Sequence, residues 1–177
     1  MRILGMVLMA AVAGAAGDNG QVVAVCMNRG ANAPKVFRAQ AMVSKIFSEI
    51  GVALSWRDDP KSCAAPGGGI VIRLSNRTPA QHHPGKLAYA MPFGSAAVEV
   101  YYDRVEAAGL DSLLTYVLAH EIGHVLQGSD GHSAAGIMKK KWDRRDYAEM
   151  RISSLQFTEG DVQLIHLGME AKKKADE

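Results

Sequence analysis

The chain has 177 residues, 48% hydrophobic and 21% charged, with 20 basic and 18 acidic side chains. That length suits one compact domain, and that composition excludes both a membrane bundle and a disordered chain. The near balance of charge implies no electrostatic partner. The runs Lys139-Lys140-Lys141 and Lys172-Lys173-Lys174 have no aromatic or glycine pattern interleaved, so they read as solvated faces and not as a nucleic-acid surface.

At the start, Arg2 precedes an uncharged apolar run and then small residues with Ala13-x-Ala15 spacing. This reads as a secretory signal peptide over residues 1–16, cut near Ala15 or Ala16. The run is shorter than the about 20 residues that span a bilayer, and an uncleaved anchor is the alternative. The expectation is a secreted chain, extracellular or periplasmic, monomeric, and without stable membrane association after cleavage. Residues 17–177 then form a single domain, with an upper part of about 21–128 and a lower part of about 129–177. The two cysteines, Cys26 and Cys63, both fall in the exported part. A disulfide is the natural reading in an oxidising compartment, and closing that loop stabilises a fold by roughly 4 kcal/mol in the chain-entropy picture. Two buried thiols, or a thiol ligand to a metal, are the alternatives. Neither cysteine has a Cys or His at ligand spacing, which disfavours the last.

Gln21 to Met27 is a β-branched apolar run and predicts a strand buried on both faces. Between Pro34 and Gly51, apolar residues recur at helical spacing, predicting an amphipathic helix over 34–50. Strands follow at 52–56 and 70–74, separated by a turn-rich loop, and then at 87–91 and 98–105, separated by Pro92-Phe93-Gly94-Ser95. Leu110 to Leu126 carries the strongest helical pattern in the chain and stops near Gly128. A loop runs through Met138, and a polar segment covers 143–151. Thr158-Glu159-Gly160-Asp161 resembles a capping box, with Phe157 and Val162 placed as a hydrophobic staple, and it opens a helix through about Ala171.

His120-Glu121-Ile122-Gly123-His124 lies inside that strongest helix. Histidines four residues apart share one helix face and can converge on one ion. Neutral imidazole suits Zn²⁺, and a glutamate beside the first histidine can reach a water on the metal and act as its general base. A catalytic zinc needs a third protein ligand and an open position. Asp130, six residues past His124, and His132, eight past it, are the two candidates, with Gly128 as the point where the helix breaks.

The stretch HEIGHVLQGSDGHSAAGIM, from His120 to Met138, resembles the signature of the metzincin zinc peptidases, His-Glu-x-x-His-x-x-Gly-x-x-His followed by a turn containing Met. His132-Ser133 and Gly136-Ile137-Met138 are similar to the matrixin type. The resemblance implies zinc held by His120, His124 and His132, Met138 as the floor beneath the metal, and Glu121 as the catalytic base. It departs from the family in spacing. Gly128 is four residues after His124 where the family has three, and His132 is eight after it where the family has six. Asp130 keeps the family spacing and stays as the alternative third ligand. His132 is favoured because zinc prefers imidazole and because Ser133 and Met138 align to it. Upstream, Leu87, Ala88, Tyr89, Ala90 and Met91 resemble the edge strand above the metal, which implies that a polypeptide substrate binds there as an added strand.

The fold expected from this resemblance is α/β (α+β) and zincin-like. It has a mixed, mostly parallel twisted sheet, two helices above a cleft and a small lower part with one C-terminal helix. The expected activity is peptide-bond hydrolysis. Competing expectations are a secreted zinc-stabilised binding domain without turnover, or another zinc amidohydrolase. His82-His83 as a structural metal site, Trp142 as a pocket wall and Tyr147 beside the oxyanion are weaker expectations.

Overall fold

In a computed structural model of the protein, residues 21–28, 30, 33–63, 68–81, 83–91 and 96–176 are described. The expected signal peptide, His82 and Pro92 lie outside them. Five strands form one sheet: β1 (Val22–Met27), β2 (Ala53–Arg57), β3 (Ile70–Ser75), β4 (Ala88–Met91) and β5 (Ala97–Tyr101), in the order β2-β1-β3-β5-β4. The first three neighbouring pairs are parallel and β4 runs antiparallel to β5. The architecture is therefore mixed α/β with a mostly parallel sheet, as expected at that level.

Helix α1 (Ala33–Ser48) connects β1 to β2, the crossover that a parallel pair requires. It packs with α3 (Leu113–Gln127), and its buried residues Val36, Val43, Ile46 and Phe47 join one core with Val98, Val100, Leu118 and Ile122. The strand expected to be buried on both faces is so only in its second half. Val25 and Met27 face that core, Cys26 joins Cys63 and Val71 in a small cluster apart from it, and Val22 is exposed. Cys26 and Cys63 form the expected disulfide, which ties the short 3-10 turn after β2 to the end of β1.

Two expectations are corrected. The strand predicted over 98–105 ends at Tyr101, and the chain turns at once into a short helix, α2 (Tyr102–Ala107). Burial continues with helical spacing, since Tyr102 and Val105, three residues apart, both enter the core, while their neighbours make polar contacts. Asp103 accepts from the Thr78 amide and hydroxyl at 2.8 Å each, and Tyr102 bonds Glu106 at 3.1 Å. The polar segment 143–151 is likewise a helix, α4 (Arg144–Arg151), so the lower part has two helices and not one. Its start is fixed by a reciprocal box between Asp143 and Asp146, an Asp-x-x-Asp form of the capping motif.

The last helix, α5 (Glu159–Asp176), opens on the expected Thr158–Asp161 box and crosses the end of α3. Their backbones approach so closely at Gly168 that a Cβ there would meet the carbonyl of Leu126. Among the described residues no helix is long and apolar enough to cross a membrane.

Candidate metal centre

Helix α3 is buried from Leu113 through Leu126. Its apolar surround takes His120, Glu121 and His124 out of water, each 8% exposed or less. Gly128 ends the helix in the left-handed region, φ 62° and ψ 32°, and the Ser129 amide donates back to the His124 carbonyl at 3.3 Å. The chain then doubles back. The His132 ring comes to 5.4 Å from that of His120 and 4.8 Å from that of His124, centroid to centroid. The ligand atoms of the three histidines all lie within 4.8 Å of one another, close enough to hold one metal ion. Asp130 is outside this group, although its charge reaches both His124 and His132.

The hydrogen bonds at the far side of the rings fix their tautomers. His120 Nδ1–H donates to the Ile137 carbonyl at 2.7 Å, and His124 Nδ1–H donates to the Ser129 carbonyl at 2.9 Å. Both Nε2 atoms are left with lone pairs, and these face each other at 3.0 Å. Two lone pairs at that distance repel unless a cation lies between them, so the donor set fits a bound metal ion. Protonation is resisted as well. Burial, with the neighbouring His124 and His132 adding to it, lowers His120 to about 4, and burial lowers His124 and His132 in the same direction. All three rings are therefore neutral near pH 7, the state in which imidazole binds a metal.

Glu121 sits beside this cluster with its carboxyl pushed up to about 7 by burial, against the opposing pull of Lys86 and of the Ala90 backbone amide. A carboxyl poised there can exchange a proton at neutral pH.

The loop carrying His132 is braced from below. Met138 is fully buried, and its sulfur lies where Gly123 leaves room; a Cβ on residue 123 would stand 2.6 Å from it. The Ser133 amide donates to the Met138 carbonyl at 3.0 Å, closing the turn. The Ser133 hydroxyl donates to the Asp161 carboxylate, which is 1% exposed and also accepts from the Thr158 amide and hydroxyl at 2.9 and 2.7 Å. Asp161 thus does two jobs, capping α5 and tethering the residue next to His132. Only the first was legible from its spacing. Trp142 meets the His120 ring edge-on at 5.5 Å.

Strand β4 lies at the sheet edge and packs on α3, with Ala88 and Ala90 buried, Met91 half-buried and Tyr89 exposed. Leu87 precedes the strand, and its carbonyl accepts from the Tyr101 amide at 2.8 Å. The opposite side of β4 has no strand partner among the described residues. His83 stacks on Tyr89 at 5.1 Å and belongs to no cluster with metal-ligand geometry among the described residues. Tyr147 packs against the core from α4. Sequence reasoning missed Arg104, whose guanidinium donates to the carbonyls of Pro79, His83 and Lys86. Its hydrogen-bond partners here are backbone carbonyls, which leave no mark in a sequence. No protein-family profile matches the chain, and no curated protein sequence is similar to it.

Proposed function

We propose that the protein is a secreted zinc endopeptidase of the metzincin type, in which His120, His124 and His132 hold the zinc and Glu121 is the general base. The observation that carries this reading is the pair of Nε2 lone pairs facing each other at 3.0 Å, with His132 alongside and a buried glutamate as neighbour. Three imidazoles leave a tetrahedral ion one open position, the mark of a catalytic and not a structural zinc. Bound there, zinc would polarise a substrate carbonyl and acidify a water.

The chain's own residues supply the rest. The free side of β4, from Ala88 to Met91, offers backbone donors and acceptors to an extended peptide, aligning it as an added strand above the histidines. Glu121, buried beside the histidines, takes the proton of the attacking water and passes it to the leaving amine. Met138 and Gly123 set the floor under the rings, and the Asp161–Ser133 bond holds the His132 loop against it. The disulfide fits an oxidising compartment and supports export.

Glu121→Ala is the direct test. The variant should bind one zinc per chain and cleave an unstructured protein about 10²–10⁴-fold more slowly than wild type, the range expected on losing a general base. Undiminished hydrolysis by Glu121→Ala would overturn the assignment.

A further inference from the structure

Beside the cleft stands a cation that the reaction above does not use. Lys86 is exposed and lies two residues before β4. Its Nζ sits 5.2 Å from the centroid of the Tyr89 ring, itself an exposed side chain of the edge strand. Its backbone is pinned as well. The amide donates to the His83 carbonyl at 3.1 Å, and the carbonyl accepts from Arg104 at 2.9 Å. The same guanidinium takes the carbonyls of His83 and Pro79 at 2.7 and 3.1 Å and lies 4.8 Å over the Tyr101 ring. One arginine therefore pins the backbone at Pro79, His83 and Lys86, while an aromatic face steadies the lysine head.

The charge of Lys86 reaches both Glu121 and His132. Lys140, beyond the methionine turn, acts on His132 too, and Asp130 is the carboxylate acting on the same ring. Two cations and one carboxylate thus bear on the ring of His132, the most exposed of the three histidines.

Resting on the peptidase reading, we propose that Lys86 is a specificity residue, selecting polypeptides with an acidic side chain just past the scissile bond. The direction follows from strand pairing. A peptide antiparallel to β4, with its cleaved bond over Glu121, runs its C-terminal half past the start of β4, where Lys86 stands. An ammonium already held over Tyr89 loses little freedom when it pairs with a carboxylate, so the charge contact is not cancelled by ordering cost.

The test uses the zinc-loaded protein and pairs of fluorogenic peptides that differ only by Glu or Gln, placed in turn at each of the first three positions after the cleaved bond. At one of these positions kcat/KM should favour Glu by about two- to fivefold at low ionic strength, the scale of an exposed charge pair. The preference should fade in about 1 M salt, where screening acts over about 3 Å. Lys86→Glu should invert it, whereas Lys61→Gln, in the turn after β2, should keep it. A ratio of one at every position, or a preference that survives Lys86→Glu, would overturn the role of Lys86 and leave the peptidase reading standing. Hydrolysis of none of the peptides, neutral ones included, would overturn that reading and this proposal with it.

Discussion

His120 and His124 arrive on one buried helix, four residues apart, whereas His132 arrives on a segment that lies outside every helix and ladder strand. The first two are placed by the half of the molecule that contains the sheet. There, parallel ladders and a core with Val25, Val98, Leu118 and Ile122 at 0% exposure set the position of α3. The third is placed by hydrogen bonds: the Ser129 carbonyl on His124, Ser133 on Met138, Ser133 on Asp161 and Ile137 on Gln156. Apolar burial is non-directional and tolerant, whereas such bonds depend on single atoms. The two halves should therefore fail in different ways.

The largest expected effect breaks the sheet half alone. Replacing both Cys26 and Cys63 by serine releases a cross-link spanning 37 residues. Urea unfolding should show about 4 kcal/mol less stability in the chain-entropy picture, while zinc stoichiometry stays at one per chain. Loss of zinc in this variant would mean that the site depends on the disulfide end of the sheet, contrary to the division drawn here.

A second effect acts on the seam between the halves. In zinc-free protein His120 is held neutral, lowered from 6.5 to about 4, mainly by burial. Its depressed value means that the unfolded chain takes up a proton first as pH falls. The His120 share of stability is full above pH 6.5 and drains away as pH drops toward 4, by something on the order of 3 kcal/mol. Glu121, raised from 4.5 to about 7, works the other way and gains stability as it protonates. Thermal melts of chelator-treated Glu121→Gln protein, which lacks that opposing gain, should show the decline across that range, and adding His120→Asn should lessen it. A melting temperature of Glu121→Gln unchanged from pH 7 to pH 4 would contradict the buried neutral tautomer.

The smallest effect probes the polar half. Asp161→Asn keeps the shape of the cap but weakens the acceptor for Ser133, and zinc affinity should fall about tenfold, as changes one step removed from a ligand typically do. Competition with a chromophoric chelator measures it. An unchanged affinity would show that Ser133 does not steady His132.

The same division explains what the sequence disclosed. Helices α1 and α3 and strands β1 and β3 carry apolar periodicity or β-branched runs because they bury one or both faces, so their pattern is written in residue type. The pairing of His120 with His124 is legible for the same reason, since a helix fixes which residues share a face. Helices α2 and α4 were not foreseen. Tyr102–Ala107 buries Tyr102 and Val105 directly after an apolar strand and is held by Asp103 on Thr78, while Arg144–Arg151 is polar and is started by the Asp143–Asp146 box. The third ligand stayed open between Asp130 and His132 because a loop's return depends on which carbonyl takes which ring nitrogen. Between His124 and His132 the chain turns where Ser129 uses its carbonyl on His124 and its hydroxyl on the Gly131 amide, 3.0 Å away. Nothing in residue spacing reports that. Arg104 and Lys86 went unremarked for a similar reason, since Arg104 acts on the carbonyls of Pro79, His83 and Lys86 and the place of the Lys86 ammonium over Tyr89 follows from that loop's path.

In the proposed reading three histidines, two set by a helix and one by a polar loop, share one zinc. A crystal of the zinc-loaded protein measured on both sides of the zinc absorption edge tests it most directly. One anomalous peak per chain is expected, at about 2.0–2.1 Å from Nε2 of His120, Nε2 of His124 and a ring nitrogen of His132. A peak bound by the Asp130 carboxylate in place of His132, or no peak at these residues, would contradict it.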